Sequence, residues 1–284
     1  LNALHSSRDA PAVAIIMSVH READVGHFEE AMASLRAQTY RELHLFIFAD
    51  GPLLLGHEAV LEKHLALTSG NDRLLRSERS GGLPVALNRL IDAALGNSGI
   101  AYLARMDADD ICMPERIERQ VAFMQQHRDI AVCGTWCIEF TEPGVAAFHK
   151  KLPTDPEAIP AFMLTRVPVA HPTVMFRRDV LEEGHRYDPT LPRMQDYELW
   201  SRLVVAGHRF SNVPEYLLWY RMAPGFYSRR TGIARAWVEI AMRLRYARKA
   251  QRMGLGLMLR LAAFFLVRVS PESVKRLAYR HLRN

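Results

Sequence analysis

Cysteine, lysine and long apolar runs are all scarce in this chain, and each scarcity excludes something. The 284 residues include three cysteines, Cys112, Cys133 and Cys137, too few and odd in number for a disulfide framework. Cys133 and Cys137 have no second Cys or His pair nearby, so buried thiols are expected rather than a zinc site. Such cysteine usage suits a reducing cytoplasm. The longest apolar run, Leu261–Val267, lies within Leu255–Val269, a stretch interrupted by Arg260 and Arg268. A spanning helix needs about 20 apolar residues, so no membrane span is expected. No charged-then-apolar leader pattern is visible. The 16 Gly and 15 Pro are too few for a collagen-like or low-complexity chain. Before Arg229 the only lysines are Lys63, Lys150 and Lys151, and Gly81-Gly82 is a poor phosphate-cradling loop.

What is present is a globular composition, 49% hydrophobic, long enough for one large or two small domains. The net charge of +6 conceals an asymmetry. Residues 1–228 carry 23 Lys and Arg against 29 Asp and Glu, whereas residues 229–284 carry 14 against 2. An acidic body, 1–228, and a basic tail, 229–284, are therefore expected. In the tail, Val274, Leu277, Ala278, His281 and Leu282 form an apolar stripe opposite Lys275, Arg276, Arg280 and Arg283. Trp237, Ile240, Ala241 and Leu244 repeat the theme beside Arg243, Arg245, Arg248 and Lys249. Basic amphipathic helices of this kind suit an anionic membrane surface; a helical appendage packed on the body is the alternative. Nucleic acid is not an expected partner, because the body is acidic and no binding module is present.

Val13–Val19, Leu43–Ala49, Ile100–Met106 and Ile130–Ile138 are short, apolar and rich in β-branched residues, as buried strands are. Between them Phe28, Ala31, Met32 and Leu35 recur at helical spacing, and Glu58–Leu67, Pro84–Leu95 and Pro114–Gln126 read as helices. This alternation predicts an α/β fold with a mostly parallel central sheet. Residues 139–170 read as loop with a short helix. His171–Arg177 reads as a strand, and Asp196–Ala206 as a helix. Arg209–Val213 leads to Leu217–Arg221, and 233–284 reads as helical, broken at Gly254/Gly256 and Ser270-Pro271.

The strand ending at Met106 runs into Asp107-Ala108-Asp109-Asp110. Three carboxylates in four residues repel one another, and a divalent cation relieves that repulsion. Asp107 and Asp109 flank Ala108 at the carboxyl edge of the sheet, where α/β ligand sites form. Their hard oxygens suit Mg²⁺ or Mn²⁺. In isolation the same residues also suit a solvated acidic turn.

Context narrows this choice. Ala104–Gly134 (ARMDADDICMPERIERQVAFMQQHRDIAVCG) resembles the DxD region of family 2 glycosyltransferases, which have the GT-A nucleotide-sugar-binding fold. VAIIMSVHRE, LRAQTYRELHLFIFADG and GGLPVALN match upstream, and HPTVMFRRDVL, QDYELWSRLVVAG and LLWYR follow in the family's order. The resemblance is greatest to bacterial exopolysaccharide and capsule-type members and covers roughly residues 12–228.

The resemblance implies roles. The donor nucleotide would be held by Ser18, His20 and Glu22 at the first strand's end, by Asp50, and by Arg105, Asp107, Ala108 and Asp109. His20 stands where the family usually has an aromatic residue. A carboxylate at Asp50 would accept the N3–H of uracil or thymine, suggesting a UDP- or dTDP-linked donor. Asp107 and Asp109 would hold the divalent metal, and Asp196 would be the catalytic base. Gln195 replaces the family's usual Glu before that base. His171, Glu198 and Trp200 fall on the acceptor side; for His171 and Trp200 a place in the core fits equally. Ala223 stands where many members carry a metal-binding His. The implied reaction is inverting transfer of a sugar to a hydroxyl of a growing surface glycan or lipid-linked glycan. The implied location is the cytoplasm, at the inner face of the plasma membrane. Two rivals remain: a Mg²⁺-dependent nucleotidyl or phosphoryl transferase, and a non-catalytic membrane-surface scaffold.

Overall fold

The computed structural model describes residues 10–66, 70–222 and 232–270. Ala223, the 228/229 boundary and the apolar stripe from Val274 to Leu282 lie outside the described residues. The strands are β1 (Ala12–Val19), β2 (Leu43–Ala49), β3 (Arg73–Arg76), β4 (Ile100–Arg105), β5 (Ile111–Cys112), β6 (Ile130–Glu142), β7 (Val145–Lys150), β8 (Met175–Arg177) and β9 (Arg209–Arg221). The helices are α1 (Val25–Arg36), α2 (Leu55–Leu65), α3 (Leu83–Leu95), α4 (Arg116–Gln126), α5 (Ile159–Phe162), α6 (Arg178–Glu182), α7 (Gln195–Val205), α8 (Ile233–Lys249) and α9 (Leu255–Val269).

One sheet orders the strands β3-β2-β1-β4-β8-β6-β9-β5, with β7 paired to β6. β1 is central and buried on both faces, so its sequence is continuously apolar. Val13, Ile15, Met17 and Val19 pack with Phe28, Ala31, Met32 and Leu35 of α1 and with α2 and α4. Ala14 and Ile16 point the other way, toward α3 and the Leu199, Trp200 and Leu203 face of α7. The period of two along the strand thus feeds two cores. Each large side chain fully buried there contributes roughly 1.5–3 kcal/mol.

The expectation of a mostly parallel sheet holds for one half. β3, β2, β1 and β4 are parallel. Beyond them β8 runs antiparallel to both β4 and β6, because it starts at the carboxyl edge and runs back. The expected loop after residue 138 is instead a hairpin of β6 with β7, closed through Gly144 at φ +81°. The two segments expected at 209–213 and 217–221 form one strand, β9, parallel to β6. The cysteines are free and buried.

The helical region beyond residue 232 is seated on the body. Tyr246 is buried in the core with Tyr197, and its hydroxyl donates to the Pro160 carbonyl at 2.9 Å. The α8–α9 pair closes around Ile240, Ala247, Leu257 and Leu261. Among the described residues no helix is long and apolar enough to cross a membrane.

β6 passes so close to Asn212 of β9 and to the His171–Thr173 turn that only glycine fits at 134. A Cβ there would lie 2.4 Å from Asn212 Oδ1 and 3.1 Å from Thr173 Oγ1. Gly134→Ala should therefore cost about 1–3 kcal/mol, the usual range for overpacking, read as a lower urea midpoint.

Candidate active site

The site is built where β1, β2 and β4 end together. β4 finishes in Arg105, whose side chain is 1% exposed. A buried guanidinium needs a partner, and it finds Asp107: Nη1 donates to Oδ2 at 2.8 Å, and Nη2 donates to Oδ1. The pairing fixes the position of the Asp107 carboxylate. The Arg105 carbonyl in turn accepts from the buried Arg116 at 2.8 Å.

Asp109 and Asp110 complete the cluster. Ligand oxygens of Asp107, Asp109 and Asp110 lie within 4.8 Å of one another. Asp110, which the sequence reading did not single out, is 1% exposed. Its Oδ1 accepts from the Arg221 backbone N–H at 2.8 Å, while Oδ2 is buried without a hydrogen-bond partner. Burial, and then the negative charge of Asp107, push the Asp109 carboxyl up; Asp110 is pushed well up by burial and both neighbours. An unpartnered buried oxygen amid mutually repelling carboxylates is what a hard divalent cation corrects, so these residues fit a Mg²⁺ or Mn²⁺ ion. Arg221 ties the cluster to the end of β9. Its Nε donates to the Asp109 carbonyl at 2.7 Å, and Nη2 pairs with Glu30.

At the end of β2, Asp50 is engaged by the loop before α3. Its carboxylate accepts from Gly81 N (2.7 Å), Gly82 N (3.0 Å) and Ser80 Oγ (2.7 Å). Three of about four acceptor positions are thereby filled, leaving one for a ligand. The Asp50-Gly51 turn needs glycine: Gly51 has φ +87°, and a Cβ would meet Ser80 N at 3.1 Å. At the end of β1, Ser18 is partly buried, and His20 and Glu22 are exposed. His20 Nδ1 accepts from Glu22 N at 3.2 Å. Ala108 is buried at 9% exposure.

Asp196 enters from α7. Met194 is the N-cap, in the left-handed conformation at φ +61°, so Asp196 sits inside the first turn and does not cap the helix. A non-glycine residue at positive φ stores about 1–2 kcal/mol of strain, here two residues before the carboxylate. Burial holds the Asp196 carboxyl above its ordinary value, opposed by the Tyr197 N–H and the charge of Arg105.

Tyr187 joins the two halves of the site, and no local sequence signal marks it. It is 1% exposed, and its backbone is clamped by Asn88 at 2.8 and 2.9 Å. Its hydroxyl lies 2.9 Å from His171 Nε2, and the fields of Arg105, Asp196 and Asp107 reach it. Burial, and then the charge of Arg105, push His171 well below its ordinary value.

The other two residues expected on the acceptor side have partners within the protein. Trp200 is fully buried, in edge-to-face contact with His171, Tyr187 and Phe210 and tilted against Phe176, and offers no face to a sugar. Glu198, two positions from Asp196, does not share its helix face and pairs instead with Arg202 at 2.8 Å.

The fold is α/β with an acidic cluster at the carboxyl edge of its sheet, and the comparisons give the family. The family model described as glycosyl transferase family 2 matches residues 14–184, and the chain belongs to that family. It is 31% identical over 218 residues to the amylovoran biosynthesis glycosyltransferase AmsE of Erwinia amylovora, covering 77% of this chain and 79% of that one. It is 25% identical over 276 residues to an Escherichia coli UDP-Gal:alpha-D-GlcNAc-diphosphoundecaprenol beta-1,3-galactosyltransferase, covering 96% of this chain and 97% of that one. Among solved structures, S. aureus TarS 1–349 in complex with UDP-GlcNAc superposes with a TM-score of 0.63 at 15% identity, covering 96% of this chain and 85% of that one. That likeness concerns the fold, GT-A.

Arg105→Gln should destabilise the protein by about 2–3 kcal/mol in urea denaturation. That is below the 3–5 kcal/mol typical of a broken buried pair, because Asp107 is 30% exposed.

Proposed function

We propose that the chain moves a sugar, with inversion, from a UDP- or dTDP-linked donor to a hydroxyl of a growing, lipid-linked bacterial surface glycan. The observation that carries this reading is the convergence of the Asp107–Asp110 cluster with Asp196 around Arg105 and Tyr187. Asp107 and Asp109, with Asp110 beside them, would hold a divalent cation, and Asp107, locked by Arg105, would also face the donor. When bound, that ion neutralises charge on the departing nucleoside diphosphate. Asp50 accepts the base N3–H with its remaining lone pair, beside Ser18, His20 and Glu22. Asp196 takes the proton of the acceptor hydroxyl as that oxygen attacks the anomeric carbon. One base and no enzyme nucleophile between the reactants give inversion. His171, bonded to Tyr187, shapes the acceptor side. The names of the relatives, one acting in amylovoran biosynthesis and one on a diphosphoundecaprenol-linked sugar, support the acceptor class.

Release of nucleoside diphosphate from a panel of nucleotide-sugars, with Mn²⁺ or Mg²⁺ and lipid-linked acceptors, tests the reading; no release from any donor would overturn it. Asp196→Asn should lower turnover at least about 100-fold, the low end for loss of a general base. Wild-type turnover should fall as pH drops through the Asp196 value, with an acid-limb midpoint above the ~3.9 of a free aspartate. A carboxyl raised in the folded state costs stability once ionised, so Asp196→Asn should melt no lower than wild type at neutral pH.

The basic region from Arg229 onward holds the catalytic body, residues 1–228, against an anionic membrane. Ile233, Trp237, Val238, Leu255, Met258, Leu259 and Leu266 are exposed on α8 and α9, beside exposed Arg245, Arg248 and Lys249. Exposed apolar side chains on helices that also carry exposed cations suit insertion at a lipid interface. Wild type should sediment with phosphatidylglycerol vesicles at low salt. The variant carrying Trp237→Glu, Leu255→Glu and Leu259→Glu should stay in the supernatant, and equal sedimentation of the two would refute the role of this face.

A further inference from the structure

We propose that Glu183, His185 and His208 form a second metal site, of zinc type, separate from the acidic cluster. The residues come from two places that folding brings together. Glu183 ends α6, His185 follows two residues later, and His208 sits in the turn between α7 and β9. The inference does not depend on the glycosyl-transfer reading.

The geometry is that of a tetrahedral ion's ligands. Glu183 Oε2 lies 3.0 Å from His208 Nε2 and 3.4 Å from His185 Nε2. A four-coordinate zinc with bonds of about 2.0–2.1 Å separates its ligand atoms by about 3.3 Å. All three side chains place a ligand atom within 4.8 Å of the others. The two imidazoles meet edge to face, 5.3 Å apart at 89°, so their nitrogens converge without the rings colliding.

The donor chemistry points the same way. Two imidazoles and a carboxylate are the set that binds zinc with one position left for water. Mg²⁺ and Ca²⁺ prefer oxygen throughout, which separates this site from Asp107–Asp110. The His185 and His208 side chains are 20% and 15% exposed, and Glu183 is 54% exposed, so an ion has a way in.

The position suggests a structural clasp. His208 lies beyond the end of α7 that is remote from Asp196, and an 11-residue helix spans about 16 Å. A bound ion joins the end of α6 to the far end of α7. The intervening segment carries Tyr187 and runs to Met194 and the base.

The test uses the full chain stripped with a chelator and titrated with Co²⁺, a spectroscopic substitute for zinc. One equivalent should give the strong visible bands of a four-coordinate ion, and Zn²⁺ should abolish them. The bands should be lost in His185→Gln and His208→Gln and retained in Asp109→Asn. Zn²⁺ should raise the melting temperature of wild type and of Asp109→Asn, but not of the histidine variants. Glu183→Gln, altered at the most exposed of the three positions, provides a variant whose folding is least at risk and should weaken the bands. Metal-free variants should melt like metal-free wild type. Absence of the bands in wild type, their persistence in both histidine variants, or their loss in Asp109→Asn overturns the proposal.

Discussion

A guanidinium buried under a row of carboxylates is the constraint around which the rest is arranged. Arg105 lies at the end of a strand with no water around its charge. It is stable there only because Asp107 accepts from both of its terminal nitrogens. That pairing fixes the chain direction just after β4 and places Asp109 and Asp110 beside it. The same charge reaches Tyr187 and Asp196 from below. One cation thus sets the orientation of one acidic group and tempers the burial of another.

The neighbouring groups are held in arrangements that favour chemistry over stability. Asp109, Asp110 and Asp196 are all buried enough to bind their protons more tightly than free carboxyls. Each therefore costs folding energy when ionised. Met194 adds backbone strain at the entry to α7. The compensation is the two-sided core around β1 and the seating of Tyr246 and Trp200 behind the site. Cores of this kind supply the margin against which a strained site is tolerated.

Much of the parallel half was legible because its signals are local. The apolar runs of β1, β2 and β4 and the 3.6-residue spacing of α1 reflect burial on both faces of one sheet. The acidic cluster was legible for the same reason: four consecutive residues carry it. The second half was harder. The β6–β7 hairpin passes through polar residues such as Glu139, Glu142 and His149, which hide its strands. Trp200 looked as suited to a sugar as to a core, since an aromatic on a helix has no marker of which way it faces. Tyr187 and Asp110 acquire their importance from partners far along the chain, Asn88 and His171 for one, Arg221 for the other.

The sequence by itself determined the class of fold, the family and the carboxylates at the strand ends, because hydrophobic period and motif order are properties of neighbouring residues. Only the tertiary structure decided which charges meet. It turned Arg105 onto Asp107, consumed most of Asp50 in the Ser80–Gly82 loop, sent Glu198 to Arg202, and brought His185 and His208 to one carboxylate. Pairings of that kind depend on separations of a few ångströms between segments tens of residues apart, and the energy of a charge depends on its burial. Neither quantity exists until the chain has folded.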